Sequence, residues 1–113
     1  MNDTPLLDYA PLAAALQRFA DERDWQRFHT PRNLMLALTG EVGELAEIFQ
    51  WKSDAECARL ADDPAAWMHL NEELADVLLY LVRLAGVLGV DLDHAVRDKL
   101  AKNALKYPAP PAR

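Results

Sequence analysis

The chain has 113 residues, 51% of them apolar and 27% charged, with a formal net charge of −6 from 18 acidic and 12 basic side chains. That length fits one domain spanning 1–113, with a core small enough to gain from burial against a second copy. The acidic balance argues against nucleic-acid polymers, which call for a basic stripe, and the apolar runs are too short to cross a bilayer.

The opening Met1-Asn2-Asp3-Thr4-Pro5 carries no basic region and no long apolar stretch, so no secretory leader is read there. A single cysteine, Cys57, has no internal disulfide partner and reads as a small filler residue. Both features suit a reducing, cytoplasmic setting. An acidic protein can still bind a small phosphate ester if a divalent cation supplies the positive charge, so the placement of the carboxylates is the informative feature.

Glycine is scarce and alternating apolar–polar runs are absent, so the elements are expected to be helices. The first helix spans about Pro11 to Arg23, with Leu12, Leu16, Phe19 and Ala20 on one face. The second starts at Pro31 with Thr30 as N-cap and runs to about Trp51. A short helix follows over about Asp54 to Leu60, capped by Ser53 or Asp54. The next long helix starts at Pro64, after Asp62-Asp63, and ends near Gly89. The last begins after Asp91 and reaches Lys106, where Tyr107-Pro108 stops it. Residues 108–113 form a tail, leaving a core of about 11–107. The architecture implied is all-α, an antiparallel four-helix-type bundle.

In the second long helix Leu34, Leu38, Leu45 and Ile48 make an apolar stripe, and Glu41 falls inside it, where a leucine is expected. An ionised glutamate there costs several kcal/mol unless something compensates it. Glu44 follows three residues on, at the stripe's edge. The helix from Pro64 repeats the device: Leu70, Leu74, Val77, Leu81 and Leu88 form its stripe, with Glu73 and Asp76 on one flank and Tyr80 a turn beyond. Facing each other, the two helices would gather four carboxylates. Such a group either takes up protons or holds a cation. An all-oxygen donor set favours Mg²⁺, Mn²⁺ or Ca²⁺ over zinc. Neither pair ends in the histidine of di-iron bundles, and no calcium loop is present. The residues alone leave two readings open, a cation site or an acidic face bathed in solvent; Glu47, Glu72 and Asp98 fit the second.

Three blocks carry a resemblance: Arg23-Asp24-Trp25-Gln26-Arg27-Phe28-His29-Thr30-Pro31-Arg32-Asn33-Leu34, then Gly40-Glu41-Val42-Gly43-Glu44-Leu45-Ala46-Glu47 with Phe49-Gln50-Trp51, and Glu72-Glu73-Leu74-Ala75-Asp76-Val77-Leu78-Leu79-Tyr80-Leu81. Together they resemble the MazG-like all-α nucleoside triphosphate pyrophosphatases, and within them the dCTP pyrophosphatase branch, from about Leu12 to Pro108. The family's E-x-x-E and E-x-x-D pairs read here as Glu41-x-x-Glu44 and Glu73-x-x-Asp76.

The resemblance implies that these four residues are the catalytic and metal-binding set. They would hold Mg²⁺, with Mn²⁺ as a substitute, for hydrolysis of dCTP or a modified dCTP to dCMP and pyrophosphate, a nucleotide-pool house-cleaning reaction. Glu44 or Glu47 would orient the attacking water. It further implies a homo-oligomer, a tetramer or a dimer, with sites formed partly between subunits. By resemblance Trp25, His29, Trp51 and Tyr80 contact the nucleobase, and Lys99, Asn103, Lys106 and Tyr107 contact phosphates. Phe19, Phe28, Phe49 and Trp67 read as packing residues, and His69 and His94 as solvent-facing or structural. Three alternatives stand beside this one: a broader-specificity pyrophosphatase of the same fold, a non-catalytic bundle that binds nucleotide or metal, and a plain structural bundle.

Overall fold

The computed structural model describes residues 4–112. Met1, Asn2 and Asp3 of the segment read for a leader, and Arg113 of the tail, lie outside the described residues.

Every element is helical: α1 Ala10–Glu22, α2 Pro31–Phe49, α3 Asp54–Ala58, a 3₁₀ turn over Leu60–Asp62, α4 Pro64–Leu88 and α5 Leu92–Lys106. The boundaries follow local chemistry. Thr30 caps α2 by accepting from the Asn33 amide, and Pro31 needs no donor in that first turn. Ser53 and Glu56 close a reciprocal capping box on α3. Asp63 accepts from Ala65 N at 3.0 Å and starts α4, and Asp91 accepts from His94 N to start α5. Gly89 ends α4 in the left-handed region at φ 76, where a side chain would be strained.

The main packing is α2 against α4, with α1 against the same long helix. Ile48 near the end of α2 clusters with Leu70 near the start of α4 and with Leu60 of the 3₁₀ turn. His29, just before α2, meets Arg83 late in α4. The two helices therefore run antiparallel. Likewise Tyr9 before α1 accepts from the Leu92 amide beyond α4, while Gln17 within α1 meets Arg83, so α1 is also antiparallel to α4. Leu34 is only 2% exposed and anchors the α2 side of this layer.

The fourth long helix, α5, does not join that layer. Its start is tied to the N-terminal segment, where Asp93 accepts from the Leu7 amide at 2.9 Å and Arg97 donates to the Thr4 carbonyl; the rest extends away. The radius of gyration is 17.7 Å, against about 13 Å expected for a compact chain of this length. In keeping with that shape, Leu74, Leu81 and Leu88 of the predicted α4 stripe lie exposed. The reason is geometric: α1 and α2 cover two sides of α4, and nothing among the described residues covers the third. Phe19, Phe28 and Trp67, read as packing residues, are likewise substantially exposed. Among the described residues, no helix is long and apolar enough to cross a membrane.

Asp63→Ala removes the cap of the helix on which both neighbours pack, and it is expected to lower stability by about 1 kcal/mol. Urea denaturation at fixed protein concentration measures this; an unchanged midpoint would show that the cap does not set the start of α4.

Candidate active site

Antiparallel packing brings the middle of α2 opposite the first half of α4, and with it the acidic pairs. One ligand oxygen each from Glu41, Glu73 and Asp76 lies within 4.8 Å of the others. Glu73 is buried at 8% exposure, while Glu41 and Asp76 are half-buried. Glu44 lies outside this tight group on an exposed turn of α2, yet near enough for its charge to act on Glu41.

The electrostatics follow from that crowding. The Glu41 carboxyl is pushed up to about 7. Burial is the largest cause, followed by the hydrogen bond to Glu73 and then the charges of Glu44, Asp76 and Glu73. Oε2 of Glu41 and Oε2 of Glu73 are sealed from solvent and meet no protein donor among the described residues. Two orphaned carboxylate oxygens in a cluster this tight suit a hard divalent cation, whose preferred donors are oxygens. Oε1 of Glu73 lies 3.5 Å from Nε2 of His69, one turn earlier on α4. His69, read from sequence as solvent-facing or structural, thus flanks the cluster.

Next to the carboxylates, between α1, α4 and the loop before α2, lies a cavity of about 160 Å³. Asp76 stands at its acidic side, and Trp25, His29 and Tyr80 form walls together with Leu16 and Arg83. The loop is shaped by its own hydrogen bonds. Asp24 adopts φ 55, Trp25 N donates to Ala20 O at 2.9 Å, and His29 N donates to Trp25 O at 3.1 Å. Trp25 meets Phe19 edge-on with centroids 5.5 Å apart and His29 at 6.2 Å. His29 has its pKa lowered by burial and then by the nearby Arg83 guanidinium, which favours the neutral imidazole whose Nδ1 accepts from Arg83.

Three of the four residues expected to meet the base, Trp25, His29 and Tyr80, therefore share one cavity. Trp51 does not: it is 87% exposed, beyond the end of α2, ten residues and so about 15 Å of helix from Glu41. Nor does the phosphate set. Lys99, Asn103, Lys106 and Tyr107 lie on or just after α5, which packs little against the site helices of its own chain, and Lys106 stacks near the Tyr107 ring at 5.3 Å. Sequence reading names Leu16 only as part of the apolar face of α1, and it does not single out Arg83 or Gln17. The available signal was register: Asp76, Tyr80 and Arg83 fall on one face of α4.

The model of the MazG-like family matches residues 37–113, which include the acidic residues of both helices. This chain belongs to the MazG-like family. The MazG-like chain is 60% identical over 90 residues to dCTP pyrophosphatase 1 of Rattus norvegicus, an alignment covering 80% of this chain and 53% of that protein. It is 57% identical over 95 residues to dCTP pyrophosphatase 1 of Homo sapiens, covering 84% and 56%. The MazG-like chain thus spans about half the length of the curated relatives it matches. The crystal structure of a pyrophosphatase from Archaeoglobus fulgidus superposes with a TM-score of 0.79 at 38% identity, covering 96% of this chain and all of that one.

The raised Glu41 pKa sets a pH dependence. Its folded value, about 7, lies above the ordinary 4.5. Its stabilising contribution to the cation-free chain is complete below pH 4.5 and is lost as pH rises through about 7. A divalent cation held by Glu41 would have to displace that proton, so cation affinity, probed with Mg²⁺, is expected to be about 30-fold weaker at pH 5.5 than at pH 8. Calorimetric titration at both pH values measures this. An affinity independent of pH would separate Glu41 from the cation.

Proposed function

We propose that this chain is a magnesium-dependent nucleoside triphosphate pyrophosphatase that hydrolyses dCTP, or a modified dCTP, to dCMP and pyrophosphate. The observation that carries the reading is a pair of adjoining features: three carboxylates from α2 and α4 within 4.8 Å of one another, and an aromatic-walled cavity lined by one of them, Asp76. The names of the rat and human relatives and of the archaeal structure support the same chemistry.

Glu41, Glu73 and Asp76 would hold Mg²⁺, with Mn²⁺ as a substitute; the ion, when bound, offsets the charge of the triphosphate and polarises the reacting phosphoryl group. Trp25 and Tyr80 offer flat faces to the base, and such stacking contributes about 1–3 kcal/mol per base. Glu44, outside the tight group and exposed, is free to orient the water that attacks the α-phosphorus. The new P–O bond forms to that water as the bond to the β-phosphoryl oxygen breaks, releasing pyrophosphate.

The active form in this reading is a homo-oligomer, a tetramer or a dimer. Leu74, Leu81 and Leu88 of α4 are exposed, and Leu81 and Leu88 line an apolar groove of about 190 Å³ with Leu84, Val90 and Leu92. Leu100 and Leu105 on α5 lie bare as well. Exposed apolar area of this extent marks an interface. A neighbouring copy would deliver Lys99, Asn103, Lys106 and Tyr107 to the phosphates and Trp51 to the base, none of which reaches the cavity within one chain. The lone Cys57 is free, which fits action in a reducing cytoplasmic nucleotide pool.

With Mg²⁺ present, chromatography of reaction mixtures is expected to show dCMP and pyrophosphate in equal amounts. Glu41→Ala and Asp76→Ala are each expected to lower kcat/KM by more than about 100-fold with helical content retained. Release of orthophosphate, or full activity in both variants, would overturn the assignment. Sedimentation equilibrium is expected to give a multiple of 12.7 kDa; a monomer would remove the shared-site model.

A further inference from the structure

Arg83 is the one buried cation among the described residues, at 7% exposure. An arginine stays charged in any protein environment, and charges buried this deeply are ordinarily paired with a carboxylate. Here both partners are neutral. Nε donates to Nδ1 of His29 at 3.0 Å, and Nη1 donates to Oε1 of Gln17 at 2.7 Å. Those two bonds fix the plane of the guanidinium and use two of its five N–H groups. The remaining donors belong to a side chain that lines the cavity shared with Trp25 and Tyr80.

Register places this fork at a definite distance from the acidic cluster. Arg83 lies seven residues after Asp76 and three after Tyr80, on the same face of α4 and about 10 Å along its axis. A nucleotide with its phosphates at Asp76 and its ring against Trp25 and Tyr80 would bring the edge of its base to Arg83.

Resting on the functional reading above, we propose that Arg83, aimed by His29 and Gln17, is the specificity-determining residue that reads the base. Arginine offers donors only, in a planar fork. The Watson–Crick edge of cytosine presents two adjacent acceptors, N3 and O2, which match it. Uracil and thymine place an N3–H donor there, and the purine edges also set a donor next to an acceptor. A site built from buried donors rejects a base that cannot accept, because its own groups then go unpaired.

The test compares kcat/KM for dCTP, dTTP and dATP with Mg²⁺, using the full chain as wild type, Arg83→Gln, Arg83→Lys and Gln17→Ala. The wild type is expected to favour dCTP. Arg83→Gln and Arg83→Lys are expected to cut the dCTP-to-dTTP ratio by roughly tenfold or more, mainly through KM, with inhibition by pyrophosphate unchanged. Gln17→Ala, which keeps the cation but removes one of the bonds that aim it, is expected to cut the ratio by a smaller factor. An unchanged ratio in all three variants overturns the proposal. A uniform loss for every nucleotide with weaker pyrophosphate inhibition also overturns it, because it assigns Arg83 to phosphate.

Calorimetric binding of dCMP against dTMP supplies a readout independent of turnover. If the wild type hydrolyses no nucleotide, the functional reading fails. The dCMP preference and its reduction in Gln17→Ala then decide Arg83 separately, and also do so if the Arg83 variants fail to fold.

Discussion

Carboxylates crowded within 4.8 Å of one another cannot all carry full charge at neutral pH without a compensating cation or proton. This is the constraint around which the rest of the molecule is arranged. Glu41 and Glu73 are held together by the same α2–α4 packing that buries Leu34, Ile48 and Leu70, so the hydrophobic effect supplies the free energy that opposes their repulsion. The orphaned oxygens on both residues mark where that opposition is incomplete. A fold that stabilises such a cluster without neutralising it is poised for a cation.

The chemistry of the site changes steadily along a single helix. Glu73 and Asp76 supply negative charge, Tyr80 an aromatic face, and Arg83 a fixed positive fork, all on one side of α4 and each within about a turn of the next. The loop between α1 and α2 adds the opposite wall. Its left-handed Asp24 and the turn closed by Trp25 and His29 place two ring systems over the cavity. Because the loop is bounded by the end of α1 and the Thr30 cap of α2, the helix termini themselves fix where the aromatic wall stands.

The flat, extended shape has the same origin as the exposed leucines. A helix as long as α4, apolar on more than one side, needs more cover than α1 and α2 provide, and α5 leaves the layer instead of supplying it. A chain in this state leaves apolar surface bare, and the oligomer proposed above would cover it.

The helices were legible because their signals are local. Prolines at first-turn positions, the cap residues Thr30, Ser53, Asp63 and Asp91, and Gly89 act on the backbone within a few residues and mark starts and stops directly. The acidic cluster was half legible. Glu41 betrayed itself by standing in an apolar stripe, but nothing in one sequence says that Glu44 turns to solvent while Glu73 becomes the most buried acid among the described residues. That depends on the rotation of α4 against α2. Arg83, Gln17 and His29 lie 66 and 54 residues apart in the pairs they form, and no local rule links them. The sequence by itself determined which segments are helical and which faces are apolar or acidic, since both are set by neighbours three and four residues away. Only the tertiary structure decided which polar groups meet, because that is set by how whole helices dock, and docking depends on the summed packing of side chains far apart in the chain.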